Sequence, residues 1–191
     1  MNKRRFSPVY STLLLLLTLF LASCGGQAAK NEPEPVSDPK LDDTYVQMLV
    51  LPVDIGEKFV KDYPRAATDC RDGLIEGLSE TKHFQVNLVD APPTSTVIDR
   101  HTLVVKLAIT DIRIVSHAAR RFGVLAGSSY VNIKMTLTDG HTGQVIRDKE
   151  FSTQNSAFAA AWSFGANDDS IPKDMGKIIG DYITAVVPAA L

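Results

Sequence analysis

Few residues in this chain have the type and spacing to do chemistry. Its 191 residues hold two cysteines, Cys24 and Cys70, and four histidines. His83, His101, His117 and His141 show no H-x-x-x-H pairing, and a zinc cluster around Cys70 would lack a second neighbouring thiol. Serine, histidine and aspartate are all present, yet no G-x-S-x-G elbow brings a nucleophile to a base by local geometry. Gly123-Val124-Leu125-Ala126-Gly127-Ser128-Ser129 superficially suggests a phosphate loop. It lacks the lysine of a Walker loop, is short by one residue and leads into a strand rather than a helix. A Gly-rich connection between strands is the better account. No catalytic residue, metal site or cofactor is therefore expected, and a hydrolase is the weakest reading retained.

Contact chemistry is better represented. His117, Arg120 and Arg121 make a dense basic spot, and an arginine pair can grip carboxylates or phosphates bidentately. The plainer account is a solvated loop end. Phe158, Trp162 and Phe164 cluster in the small-residue-rich stretch from Asn155 to Asp168. Exposed, such aromatics mark a partner or membrane contact; buried, they cover the sheet as a short core helix. Cys70 falls inside an apolar helical stripe and reads as a small buried hydrophobe rather than a reactive thiol.

Cys24 stands apart. Lys3, Arg4 and Arg5 precede an apolar run from Leu13 to Leu21 broken only by Thr18, and Leu21-Ala22-Ser23-Cys24 follows. These are the three parts of an export signal in order. A bilayer-spanning helix needs about 20 apolar residues, and this run is far shorter. A cysteine directly after two small residues can take a diacylglyceryl group before cleavage, and the arrangement resembles the lipobox of bacterial lipoproteins. The resemblance implies removal of residues 1–23 and lipidation of Cys24. Each buried methylene contributes about 0.8 kcal/mol, so several acyl chains hold where one is marginal. Gly25, not an acidic residue, follows the cysteine, which by the same resemblance implies sorting to the outer membrane with the domain facing the periplasm.

Loss of residues 1–23 leaves 17 basic and 22 acidic side chains, a net charge near −5. Sequence-independent nucleic-acid binding requires a basic face and is not expected. Residues 25–41, GGQAAKNEPEPVSDPKL, lack hydrophobic periodicity and read as a flexible linker without a recognition role. The domain organisation expected is thus a signal peptide over 1–23, a lipidated tether over 24–43 and a single domain over 44–191.

The elements of that domain follow from period. Tyr45 to Ile55 is apolar on both alternating faces, as in a strand covered on two sides, and Pro52 marks its end. A helix fits Tyr63 to about Glu80, with Asp62 as N-cap, Pro64 in its first turn and Tyr63, Ala66, Ala67, Cys70, Leu74 and Leu78 on one face. Gly73 and Gly77 near that face suggest a close approach to a sheet. Phe84 to Val89 is a second strand, joined by a β-α-β crossover, and Pro92 and Pro93 mark a loop after it. Leu103 to Val115 is a long third strand whose apolar parity slips, which predicts a bulge at Thr110 and Asp111. Tyr130 to Thr138 alternates cleanly, Asp139 to Gly143 is a hairpin turn, and Gln144 to Thr153 returns as a charged edge strand. Ser170 and Pro172 open a last helix carrying Met175, Ile178, Ile179, Tyr182, Ile183 and Val186, and Pro188 ends it. The fold expected is α/β, a two-layer sandwich of a mixed four- to five-stranded sheet packed by two helices.

The lipobox, the proline-rich tether, the Arg120-Arg121-Phe122-Gly123 to Ser129 run and the Leu137 to Ile146 hairpin together resemble a bacterial lipoprotein family known as domain of unknown function 4410. The similarity covers most of residues 45–187. It implies fold and location and adds no chemistry. The functional expectation is a non-enzymatic, outer-membrane-anchored lipoprotein, held to the membrane through Cys24, whose domain binds another envelope protein. The alternatives are a subunit of a homo-oligomeric envelope assembly and an envelope hydrolase.

Overall fold

The computed structural model describes residues 38–80, 83–91, 101–115, 129–154 and 168–188. They belong to one compact unit, Ser37–Leu191. Its elements in chain order are β1 (Gln47–Val50), β2 (Asp54–Ile55), α1 (Glu57–Val60), α2 (Ala66–Glu80), β3 (Gln85–Leu88), β4 (Thr102–Arg113), β5 (Tyr130–Asp139), β6 (Val145–Ser152) and α3 (Ile171–Val186), with a 3-10 turn at Asp168–Ser170 before α3. One mixed sheet has the order β3-β1-β4-β5-β6, with β2 also paired to β4. β1 runs parallel to β3 and β4, while β5 and β6 are antiparallel to their neighbours. The two-layer α/β reading holds, with β2 and α1 as short additions that periodicity did not reveal.

Pro52 divides the first predicted strand in two. Leu51 still donates to Val105 O at 3.0 Å, but proline has no N–H to continue the ladder. Pairing resumes at Asp54 opposite Ala108, four residues on from Val50 but only three on from its partner Val105. The predicted parity slip in β4 is a bulge, with the register shifting between Ile109 and Asp111. Leu103, Val105, Leu107 and Ile109 are buried before it and Ile112 after it. The disturbed backbone and nearby polar groups find partners: Asp111 Oδ1 accepts from Ile112 N at 2.9 Å and Oδ2 from the Tyr130 hydroxyl at 3.1 Å.

The apolar residues of α2 and α3 pack on one face of the sheet in a single core with Val131, Ile133, Met135, Leu137 and Phe151. Helix α2 begins at Ala66, three residues later than predicted, because Tyr63 to Arg65 form a turn in which Ala66 N bonds Tyr63 O at 3.1 Å. Leu88 is 55% exposed at the sheet edge. Ser170 stands at the N-cap of α3 without a capping bond; its hydroxyl donates to Asp174 Oδ2 at 2.7 Å.

Gly73 and Gly77 correct the sequence reading. They admit a helix, not the sheet. A Cβ on Gly73 would lie 1.9 Å from Lys173 O, and one on Gly77 2.6 Å from Lys177 O. Helix α3 answers with Gly176 and Gly180, whose Cβ positions fall 2.0 Å from Cys70 O and 2.7 Å from Leu74 O. Two helices sharing one sheet face have thus brought their backbones into contact, and any side chain would part them. Lys173–Glu76 and Lys177–Glu80 pair at the seam's solvent margin, at 3.0 and 2.6 Å. Cys70 is fully buried along it, and burial pushes its thiol up to about 12. It remains an unreactive core residue at neutral pH.

Candidate functional site

Every residue that the sequence nominates as a site lies outside the described residues: Cys24, the basic His117, Arg120 and Arg121, and the aromatic Phe158, Trp162 and Phe164. The described structure offers three other polar constellations.

The first surrounds the β5–β6 hairpin. Asp139 Oδ1 accepts from His141 N (3.0 Å), Thr142 N (2.6 Å) and Thr142 Oγ1 (2.8 Å), and Oδ2 accepts from the Tyr45 hydroxyl at 3.2 Å. Gly143 closes the turn with φ 71°, a left-handed conformation that glycine adopts without strain. Burial pushes the Asp139 carboxyl up, but the bonds from Thr142, Tyr45 and His141 outweigh it and hold the group below its usual range. Tyr45 is shifted upward, by burial first and then by Asp139. Asp43, Thr44, His101, Asp139, His141 and Thr142 line a cleft of about 370 Å³ beside the turn. His101 Nδ1 lies 3.0 Å from Thr44 O, an acceptor, so this nitrogen carries the proton. The cleft has titratable groups, but the Asp139 carboxylate is committed to the turn and is poorly placed as a general base. Among the described residues no group of three or more His, Cys, Asp and Glu could hold a metal ion.

The second lies beyond the carboxyl ends of β1 and β3, against the middle of β4. Leu51, Pro52, Val53, Asp54, Asp90 and Lys106 are among the residues around a depression of about 430 Å³. The walls here are apolar with mixed charge and define no ligand class. Nearby, Arg71 Nη2 donates to Val50 O at 3.1 Å and more weakly to Val89 O at 3.5 Å, tying the ends of β1 and β3 together.

The third joins the start of the described domain to its far edge. Asp38 Oδ2 accepts from the Tyr182 hydroxyl at 2.6 Å and from Lys149 Nζ. Arg147 reaches Tyr182 Oη with one guanidinium nitrogen (3.1 Å) and Pro39 O with another (2.8 Å). Lys149 Nζ stands 4.3 Å from the centre of the Tyr182 ring, and that ring meets Phe151 edge-on at 5.2 Å. Leu41 N donates to Val186 O at 2.8 Å, satisfying one of the carbonyls that a helix leaves open in its last turn. The bond from Lys149, then that from Tyr182, lowers the Asp38 pKa. Burial, then the bond to Asp38, raises that of Tyr182. Sequence reasoning missed this cluster. It took the β6 charges as edge protection and Tyr182 as part of a core stripe, and both descriptions are also true of them.

No family model matches the chain, and no curated protein does. Solved structures with a similar arrangement include the PelC dodecamer from Paraburkholderia phytofirmans, at 12% identity and TM-score 0.47 over 79% of this chain and 95% of that one. Lipoprotein GNA1162 from Neisseria meningitidis is similar at 16% identity and TM-score 0.40, over 58% and 86% of the two chains. Protein XCC0632 from Xanthomonas campestris, of the DUF330 family model, is similar at 11% identity and TM-score 0.46, over 78% and 87%. At these scores and identities no role is drawn from any of them.

Proposed function

We propose that this chain is an outer-membrane lipoprotein, anchored through Cys24, whose α/β domain binds another envelope protein and catalyses no reaction. The observation that carries the reading is the third constellation. The chain arriving from the lipobox side is fastened to β6 and α3 through Asp38. A module presented from a membrane needs such a defined entry point. The polar groups of the hairpin cleft support a binding rather than catalytic role, since Asp139 is engaged by the turn.

A second copy of the chain is the alternative partner. It is favoured by the β3 edge, which carries no charge and leaves Leu88 55% exposed, whereas edge strands usually carry charges that discourage pairing. In-cell crosslinking with mass spectrometry decides between them, comparing the native protein with Cys24→Ala behind a cleavable soluble signal. A single envelope protein captured by the native form, and lost on Trp162→Ala or Arg121→Ala, supports the binding reading. Crosslinks only to itself, with a mass by light scattering that rises with concentration, transfer the reading to a homo-oligomer. Absence of lipid on Cys24 by intact-mass measurement overturns the anchor.

A further inference from the structure

We propose that Asp38–Leu41 is a releasable strap that sets the length of the connection between the domain and whatever holds its N-terminal side. Docked, the strap fixes the entry point at β6 and α3. Released, it leaves the chain free as far as Thr44, held by His101, beside Tyr45 in the core.

The two ends of this segment are secured in different ways. Tyr45 is 1% exposed and its hydroxyl bonds Asp139. The next two residues continue into the sheet, Val46 N and Gln47 N both donating to His101 O at 2.9 and 3.1 Å. Asp38 is instead held at the rim, its side chain and that of Lys149 28% and 27% exposed. Pro39 and Lys40 are exposed, and only Leu41 enters the core. Between the two holds, Asp42 and Asp43 form an exposed bend. The strap can therefore detach by breaking partly solvated bonds and withdrawing one leucine, without disturbing a strand. Local openings of this kind draw on the least buried parts of a fold.

The consequence is reach. Six residues, Asp38 to Asp43, precede Thr44, whose carbonyl is held by His101 Nδ1 at 3.0 Å. An extended chain covers about 3.3–3.6 Å per residue, so once released Asp38 can stand up to about 22 Å from Thr44. The use of that reach to span an envelope gap rests on the anchored-lipoprotein reading, but the strap itself does not.

The Lys40–Leu41 bond supplies the test. It is a trypsin site whose first residue is exposed and whose second is buried. Full-length protein is treated with trypsin and cleavage after Lys40 is followed by mass spectrometry, in the native chain, in Asp38→Asn and in Asp38→Asn with Tyr182→Phe. Hydrogen exchange of the Ile133 and Met135 amides is followed in parallel as a record of the core. The strap predicts cleavage about two- to fivefold faster in the variants with core exchange unchanged, as expected for a local opening held by a partly exposed pair. An unchanged cleavage rate in both variants overturns the proposal, as does faster cleavage matched by equally faster core exchange. Lipid on Cys24 is read separately from the intact mass, so failure of the anchor reading is distinguishable from failure of the strap.

Discussion

The seam between α2 and α3 and the seam between the strap and β6 both join segments distant in sequence, by opposite means. Along the helix pair, Gly73, Gly77, Gly176 and Gly180 bring backbone against backbone with no room for a methyl group. At the strap, a carboxylate, an ammonium, a guanidinium and a phenol meet at a partly solvated rim. Close packing is unforgiving, because strain there has nowhere to relax. Partly exposed ion pairs contribute about 0–1 kcal/mol and part without disturbing the rest. The first seam belongs to the cooperative core and the second can open independently.

The sharpest way to break that contrast is at the helix seam. Gly176→Ala should cost about 3 kcal/mol, the upper end for overpacking, even though alanine's helix propensity returns about 1 kcal/mol. Urea unfolding would read this as a lower midpoint with an unchanged slope. A midpoint close to the native one would mean that the helices can separate cheaply.

Asp139→Ala is expected to lie next, at about 2 kcal/mol, since it leaves the part-buried Tyr45 hydroxyl without its acceptor and removes three bonds that hold the exposed turn. Thermal unfolding checks it. Gly143→Ala should cost about 1 kcal/mol through its positive φ alone, because nothing lies near its Cβ position. Gly56→Ala is the control. Its nearest Cβ neighbour would be 3.7 Å away and its φ is −57°, so stability should stay within about 0.5 kcal/mol.

The smallest effect sharpens the strap itself through pH. The Asp38 carboxyl is held below its usual value near 3.8, so the ionised form favours docking. Its contribution is complete above that usual value and is lost as pH falls through the lower, docked value. Protection of the Leu41 amide, followed by NMR hydrogen exchange, should be insensitive to Asp38 ionisation from pH 8 to about 5, after correction for intrinsic exchange. Loss of protection already near pH 6 would show that another group controls the strap.

What could be read in advance had a local cause. Alternation put Val131, Ile133, Met135 and Leu137 on one face of β5, and all four are fully buried. The parity slip located the β4 bulge, and Asp139 to Gly143 marked the hairpin because a turn is stereochemistry over five residues. The apolar stripe of α3 was equally clear, with Met175, Ile179 and Ile183 fully buried. Composition and the lipobox residues likewise supplied the anchor expectation without any fold.

What only the tertiary structure decided was which partner each of these elements met. Gly73 and Gly77 announced a close approach but not to what, since a glycine marks missing volume and carries no address. The strap was less legible still. Asp38 lies 144 residues from Tyr182 and 111 from Lys149, within a stretch whose composition reads as linker. Sequence by itself determined the elements and their inward faces, because periodicity and turn geometry act over a few residues. The structure decided the helix seam and the strap, because burial and charge pairing between remote segments exist only once the chain has folded.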